Sequence, residues 1–316
     1  MEKIRIGTRG SKLALWQADH VAALLKQGGI ESEIITIDTK GDKILDVSIS
    51  KIGSKGVFTE EIEEQLQLGN IDIAVHSAKD MQSELPQGFE LIAFTEREVV
   101  NDVLVGMDMC LSLDKEDIVV GTSSTRRVAL LKHFYPHVKT VSVRGNLQTR
   151  IAKMKDGVCD ALLLAYAGVH RMDYDDMIIS KLPLDKFIPP VGQGSVAVEC
   201  YTSLHEEKRQ AIRKYVNHEN TEKRLRCERG FLKTLQGGCS IPVFGLADLQ
   251  EDTLTIKGGI VDLEGTKIIR KRIMGSAENA ESIGRELAEE VLKAGGDKIL
   301  EDIKEKLNQK QTHESK

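Results

Sequence analysis

In Ile71-Asp72-Ile73-Ala74-Val75-His76-Ser77-Ala78-Lys79-Asp80, an apolar run long enough for one buried strand stops abruptly in His, Ser, Lys and Asp. Ligands of open α/β sheets sit beyond the carboxyl ends of the strands, so four groups able to donate, accept or hold charge arrive where a substrate would lie. A single strand end of this kind is described as well by a solvated turn with one Lys–Asp pair. The chain, however, repeats the construction. Thr8-Arg9-Gly10-Ser11, Gly121-Thr122-Ser123-Ser124-Thr125-Arg126-Arg127, and Arg144-Gly145-Asn146 with Arg150 one turn on each set small residues and arginine between a strand and a helix. Backbone N–H groups at helix starts attract anions, and guanidinium forks match carboxylates bidentately. Any one cluster is explained by capping and a surface arginine; three together point to a polyanionic ligand. None is a Walker A loop, because Gly53-Ser54-Lys55-Gly56 lacks the preceding glycine spacing and the Ser/Thr after Lys. In Gly237-Gly238-Cys239-Ser240-Ile241-Pro242, two glycines would let a bulky ligand approach the thiol. A buried structural cysteine fits those residues equally.

Strand–helix alternation is what must position these groups. Ile4 and Ile6 alternate as a strand, and Ser11 then caps a helix whose face is Leu15, Ala18, Ala22 and Leu25. Glu33–Ile37 reads as a second strand, Thr59 as the cap of a helix with Glu60 and Glu61 in its first turn, and Ile71–Val75 as the third strand. The Lys-, Gly- and Ser-rich segment 40–57 reads as a mobile loop. A second α/β series follows, with strands at Val103–Val105, Ile118–Val120, Val138–Val143 and Ala161–Leu164 and helices beginning near Ser124 and Asn146. Pro183, Pro189, Pro190 and Gly192-Gln193-Gly194 mark a crossing before a strand at Val196–Cys200. After about residue 217, three β segments (Pro242–Leu249, Thr253–Val261, Lys267–Ile273) and an amphipathic helix from about Ala277 to Leu292 read as a small α+β domain.

The chain has 316 residues, enough for two or three domains, and its 41% hydrophobic and 29% charged content is that of a globular protein. Aromatics at 4%, with Trp16 the single tryptophan, and a net charge of −5 argue against a nucleic-acid surface. Within 121–171, however, nine Lys or Arg stand against two acids, a focusing suited to a small anion. No apolar run reaches membrane-spanning length and the first residues lack the apolar core of a signal peptide. Five cysteines (110, 159, 200, 227 and 239) form no CxxC pair, so the expectation is reduced thiols in a cytoplasm. No metal site is read.

Over nearly its whole length the chain resembles the porphobilinogen deaminase (hydroxymethylbilane synthase) family. The motifs that carry the resemblance are Ile4-Arg5-Ile6-Gly7-Thr8-Arg9, Leu13-Ala14-Leu15-Trp16-Gln17-Ala18, Lys51-Ile52-Gly53-Ser54-Lys55-Gly56, His76-Ser77-Ala78-Lys79-Asp80, Gly121-Thr122-Ser123-Ser124, Arg126-Arg127, Arg144-Gly145-Asn146, Gly192-Gln193-Gly194 and Gly238-Cys239. One departure is visible: Met81-Gln82 stands where the family usually has Val-Pro.

The resemblance implies two doubly wound α/β domains of the periplasmic-binding-protein kind flanking a cleft, with a small C-terminal α+β domain. It places domain 1 at 1–96 and 195–214, domain 2 at 97–194 and domain 3 at 217–316. It implies a dipyrromethane cofactor held by a thioether to Cys239. Four porphobilinogen units are added with loss of ammonia, and the linear tetrapyrrole is then released by hydrolysis. Asp80 matches the catalytic acid: a fixed carboxylate facing the pyrrole N–H stabilises the azafulvene cation left as ammonia departs. Nearby cations would keep it ionised. The matching cofactor and substrate contacts are Arg9, Ser11, Lys51, Lys55, Ser77, Lys79, Thr122, Ser123, Ser124, Arg126, Arg127, Arg144, Gly145, Arg150, Arg171 and Gln193. Cys110, Cys159, Cys200 and Cys227 fall in or beside predicted strands and helices, where a thiol serves as a small buried side chain. A cytoplasmic monomer without nucleic-acid or membrane partners is expected. A solute-binding protein is the rival from another class, since two α/β lobes around an anion cleft describe it too; it needs neither a loop thiol nor an acid among cations. A phosphate-sugar enzyme is weaker, lacking a recognisable base or metal site.

Overall fold

The computed structural model describes residues 2–40, 59–238 and 241–314. Short apolar runs bounded by polar or glycine residues form the strands, and two five-stranded sheets result. The first comprises β1 (Ile4–Thr8), β2 (Ser32–Thr36), β3 (Ile73–Ser77), β4 (Phe89–Phe94) and β10 (Val196–Tyr201), in the order β2-β1-β3-β10-β4. The second comprises β5 (Asp102–Gly106), β6 (Val119–Gly121), β7 (Lys139–Val141), β8 (Ala161–Ala165) and β9 (Ile178–Lys181), in the order β7-β6-β8-β5-β9. In each, three parallel strands meet one antiparallel return strand, β10 in the first and β5 in the second. These are two doubly wound lobes of one plan. The two connections between them run side by side, Thr95 N–H donating to Val196 O at 3.0 Å and Glu98 N–H to Gly194 O at 3.0 Å.

Helices cover the sheets by their apolar faces. In the first lobe α1 (Lys12–Gln27) buries Ala14, Gln17, Ala18, Val21 and Leu25, a face rotated slightly from the predicted one so that Gln17 points inward. Helix α2 (Glu60–Gln67) follows Thr59, which occupies the cap position without the expected cap bond; its hydroxyl accepts instead from Gln82 Nε2 at 3.3 Å. In the second lobe α3 (Thr125–Phe134), α4 (Leu147–Lys155) and the short α5 (Tyr166–His170) follow β6, β7 and β8. Helix α6 (Glu206–Val216) packs Ile212 and Val216 into the first core.

The third unit is an antiparallel meander, β11 (Val243–Gln250), β12 (Thr253–Val261) and β13 (Ile268–Ser276), under α7 (Glu219–Thr234) and α8 (Ala280–Val291), with α9 (Asp297–Glu314) last. Phe231, Leu254, Ile256, Ile260 and Leu287 are fully buried in its core. Helix α8 starts later than predicted because Ala277–Asn279 forms a 3-10 turn. Strands β4 and β9 and helices α5, α6, α7 and α9 lay outside the sequence reading.

Candidate active site

In the first lobe, β1 delivers Arg9, half-buried, to the sheet edge. Ser11 caps α1, its Oγ accepting from Ala14 N–H at 3.3 Å. Gln17 Nε2 donates to Ser77 Oγ at 2.8 Å, tying α1 to the carboxyl end of β3. That end continues as a single 3-10 turn, Ala78–Asp80, on which Ala78 is buried, Lys79 half-buried and Asp80 exposed. Met81 (φ −71°, ψ 141°) is extended and buried. An extended conformation is what a residue before proline adopts, so the Met81 backbone is compatible with the family's usual Val-Pro.

In the second lobe, Ser124 caps α3 and Thr122 Oγ1 accepts from Ser124 N–H at 3.3 Å, while Ser123 is half-buried beside them. Arg126 and Arg127 start this helix but point inward. Arg126 NH2 donates to Asp102 Oδ2 at 2.7 Å and its NH1 to Ile188 O at 2.9 Å. Arg127 donates through Nε (3.1 Å) and NH2 (2.8 Å) to Asp102 Oδ1 and through NH1 to Leu163 O at 2.9 Å. Gln193 Nε2 donates to the same Oδ1 at 3.1 Å and to Val100 O at 2.7 Å. Burial would raise the Asp102 carboxyl, but Arg126 and Arg127 hold it well below the usual carboxylate range. Sequence reasoning named both arginines and Gln193 and missed Asp102. Its signal was an acid opening the apolar run Asp102-Val103-Leu104-Val105, beside a basic cluster that needs a counter-charge.

Asn146 caps α4 through Oδ1, accepting from Thr149 N–H at 2.9 Å. Gly145 before it sits at φ +114°, where a Cβ would lie 2.7 Å from Thr149 Cγ2, and its carbonyl accepts from Arg150 Nε at 2.7 Å. Arg144 is half-buried on the same turn. Arg171 bridges the lobes: NH2 donates to Gly194 O at 2.7 Å and Cζ stands 4.9 Å from the ring centre of Trp16 on α1.

The charges show how the lobes meet. The Lys79 ammonium is pushed down to about 8, first by burial, with Arg127 and Arg150 acting the same way and Asp80 and Asp102 opposing. Arg150 is lowered by burial, then by Arg127 and Arg144, against Asp80. Asp80 and Lys79 of one lobe thus share a field with Arg127, Arg150 and Asp102 of the other. With Asp102 already divided between two arginines, cations outnumber carboxylates here. That imbalance fits a ligand bearing several carboxylates, as a dipyrromethane with acetate and propionate arms does.

Among the described residues three cysteines are buried: Cys159, Cys200 and Cys227. Burial pushes the Cys200 and Cys227 thiols up to about 12. Cys110 corrects the expectation, being exposed in the turn after β5. Cys239, Lys51 and Lys55 lie outside the described residues, as does the segment 40–57 except Lys40.

The family model described as porphobilinogen deaminase, dipyromethane cofactor binding domain, matches residues 4–209, and that of the porphobilinogen deaminase C-terminal domain matches residues 223–293. The chain belongs to the porphobilinogen deaminase family. The porphobilinogen deaminase of Cytophaga hutchinsonii is 58% identical over 306 residues, covering 96% of this chain and 98% of its own. That of Desulfosudis oleivorans is 55% identical over 304 residues, covering 96% and 98%. Among solved structures, the second substrate-binding domain of a putative amino acid ABC transporter from Streptococcus pneumoniae aligns over 67% of this chain and 91% of its own, at 14% identity and a TM-score of 0.43. The family's activity is the hydroxymethylbilane synthase transfer of tetrapyrrole biosynthesis, and the cofactor-binding match spans both lobes and every described residue of the site. Among the described residues no helix is long and apolar enough to cross a membrane.

Proposed function

We propose that this chain condenses porphobilinogen units head to tail with Asp80 as the reacting carboxylate. The observation that carries the proposal is the exposed Asp80 at the end of β3 in one field with Lys79, Arg127 and Arg150. As the substrate's C–N bond breaks and ammonia leaves, the pyrrole nitrogen takes on positive charge. A carboxylate fixed on a 3-10 turn lowers the energy of that charge without reorganising at the moment of reaction. Lys79, Arg150, Arg144 and Arg9 hold acetate and propionate groups, Ser11, Ser77, Thr122, Ser123, Ser124 and the Gly145 turn add hydrogen-bonding groups, and Arg171 serves at the lobe boundary. Arg126, Arg127 and Gln193 reach the ligand through the field and packing they build around Asp102. When bound, the dipyrromethane supplies the terminal pyrrole carbon to which each unit is joined.

Lys51, Lys55 and the thioether at Cys239 enter on family resemblance. We further propose the three domains at 1–96 with 195–214, 97–194 and 217–316, and a monomer working in the cytoplasm without nucleic acid. Strand β10 lying between β3 and β4 supports the discontinuous first domain.

The intact mass of protein produced with adequate porphobilinogen tests the proposal. The expected result is one added dipyrrole that maps to the Cys239 peptide, resists thiol reductants and disappears in Cys239→Ser. An unmodified chain that turns over, or an adduct elsewhere, contradicts it.

A further inference from the structure

Asp80 lies in the first lobe, whereas Cys239 follows α7 of the third unit by five residues in sequence, so a contact between that lobe and that helix bears on where the acid stands relative to the thiol's segment. We propose that Arg229, together with its neighbour Glu228 on α7, braces the Asp80 turn from the third unit and is a positioning residue for the reaction. The proposal rests on Asp80 being the reacting carboxylate.

The two side chains grip opposite flanks of the turn. Glu228 is fully buried; Oε2 accepts from Gly192 N–H at 2.9 Å, and Oε1 from Ala247 N–H at 2.8 Å and Arg97 NH1 at 2.6 Å. Gly192, at φ +80°, lies directly on the turn: a Cβ there would stand 2.8 Å from Ala78 C and 2.9 Å from Lys79 N. Any side chain at 192 would therefore displace the residues that lead into Asp80. On the far flank, Arg229 NH2 donates to Gln82 O at 2.9 Å and reaches Ser83 O at 3.5 Å. Gln82 also sends its side chain to Thr59 Oγ1 at 3.3 Å and Glu63 Oε1 at 3.4 Å, which fixes the carbonyl that Arg229 holds.

Arg229, half-buried, is an odd cation to withdraw from water for stability alone. Among the described residues it has no carboxylate within ion-pair distance, and burial lowers its pKa with only Glu199 opposing. Carbonyl partners compensate a partly desolvated guanidinium less than a carboxylate would. What the arrangement does supply is placement. Helix α7 is packed into the third core by Cys227 and Phe231 and ends at Thr234, five residues before Cys239 in sequence. One packed helix thus ties the Asp80 turn to the third unit, just ahead of Cys239 in sequence. Misplacement by about 1 Å can cost up to about 100-fold in rate.

The test is a double-mutant cycle on holo-enzyme, reading ammonia release, KM, dipyrrole content and thermal midpoint. Arg229→Gln is expected to lower kcat about tenfold, with KM within twofold and dipyrrole content unchanged. Arg229→Lys, which keeps one donor for Gln82 O, should cost about two- to threefold in kcat. In an Asp80→Glu background, where the carboxylate is already displaced, either change should cost less than twofold. An equal kcat loss in both backgrounds, or a change confined to thermal midpoint or dipyrrole content, overturns the brace alone. If Arg229→Gln does not fold, the Arg229→Lys cycle decides: a loss present with Asp80 and absent with Asp80→Glu supports the brace, and no loss or an equal loss overturns it. Full activity in both Asp80→Glu and Asp80→Asn overturns the role of Asp80 and the brace with it.

Discussion

The two α/β lobes share one strand order but finish their chemistry differently. Each inserts an antiparallel return strand beside its third parallel strand, and each buries an acid on that strand: Glu199 on β10, Asp102 on β5. In the first lobe Glu199 Oε2 meets His76 Nε2 at 3.1 Å, while its Oε1 has no hydrogen-bond partner among the described residues. In the second, both Asp102 oxygens are taken, by two arginines and Gln193. The second lobe therefore sets two buried arginines on one carboxylate, and its Arg150 lies close enough to the site to interact with Asp80. The first lobe leaves the end of β3 as a short turn with an exposed Asp80. A common scaffold thus yields a holding wall and a reacting edge, and the difference lies in the turns at the carboxyl ends of the strands.

The sharpest way to break this comparison is to remove the two buried acids in turn. Asp102→Asn leaves two buried arginines without a counter-charge and should cost about 3–5 kcal/mol. Glu199→Gln should cost about 1–3 kcal/mol, because His76 can be neutral and accept or donate a hydrogen bond. Denaturant midpoints of the two variants check the order; an equal or larger loss for Glu199→Gln contradicts it. Because Asp102 is held below the ordinary carboxylate range, its contribution is complete at neutral pH and is lost only as pH falls through and below that range.

Lys79 sharpens the comparison from the reacting edge. Its ammonium, near 8 instead of the ordinary 10.5, loses its proton earlier in the folded chain than in the unfolded one. Fold stability should therefore rise with pH between those values, while binding of a carboxylate-bearing substrate weakens. KM is expected to climb several-fold as pH passes about 8, and Lys79→Gln should show a raised KM without that limb. Superimposable pH profiles would remove Lys79 from the holding set. The smallest effect belongs to Cys110→Ser, which should leave dipyrrole content and turnover unchanged despite the exposure of that thiol; loss of the adduct in this variant would move the attachment point.

Much of this was legible because strand ends and helix starts carry local signals. Ser11 accepts the expected cap hydrogen bond, Ser124 and Asn146 cap the helices read as beginning near them, and β12 runs over Thr253–Val261 as read. The charged helices α6 and α7 were less legible, since α6 buries only Ile212 and Val216 as apolar side chains and α7 buries Thr221, Glu222 and Glu228 among its apolar ones, so neither shows a clean apolar stripe. Asp102, Glu228 and Arg229 were missed for a related reason. Their partners lie tens of residues away along the chain, as with Arg126, Arg97 and Gln82, and periodicity carries no information about such pairings. The arginine clusters were found as ligands for an external anion, whereas two of their arginines, Arg126 and Arg127, hold an internal one.

The division into a reacting edge and a holding wall is tested most directly by ammonia release from holo Asp80→Asn, with KM measured alongside. The amide keeps the size and the fold but cannot stabilise developing positive charge. The expected result is a kcat lower by about 100- to 1,000-fold with KM within about threefold and the dipyrrole still bound. Retention of more than about a tenth of the parent kcat, or a loss expressed mainly in KM, would contradict the account.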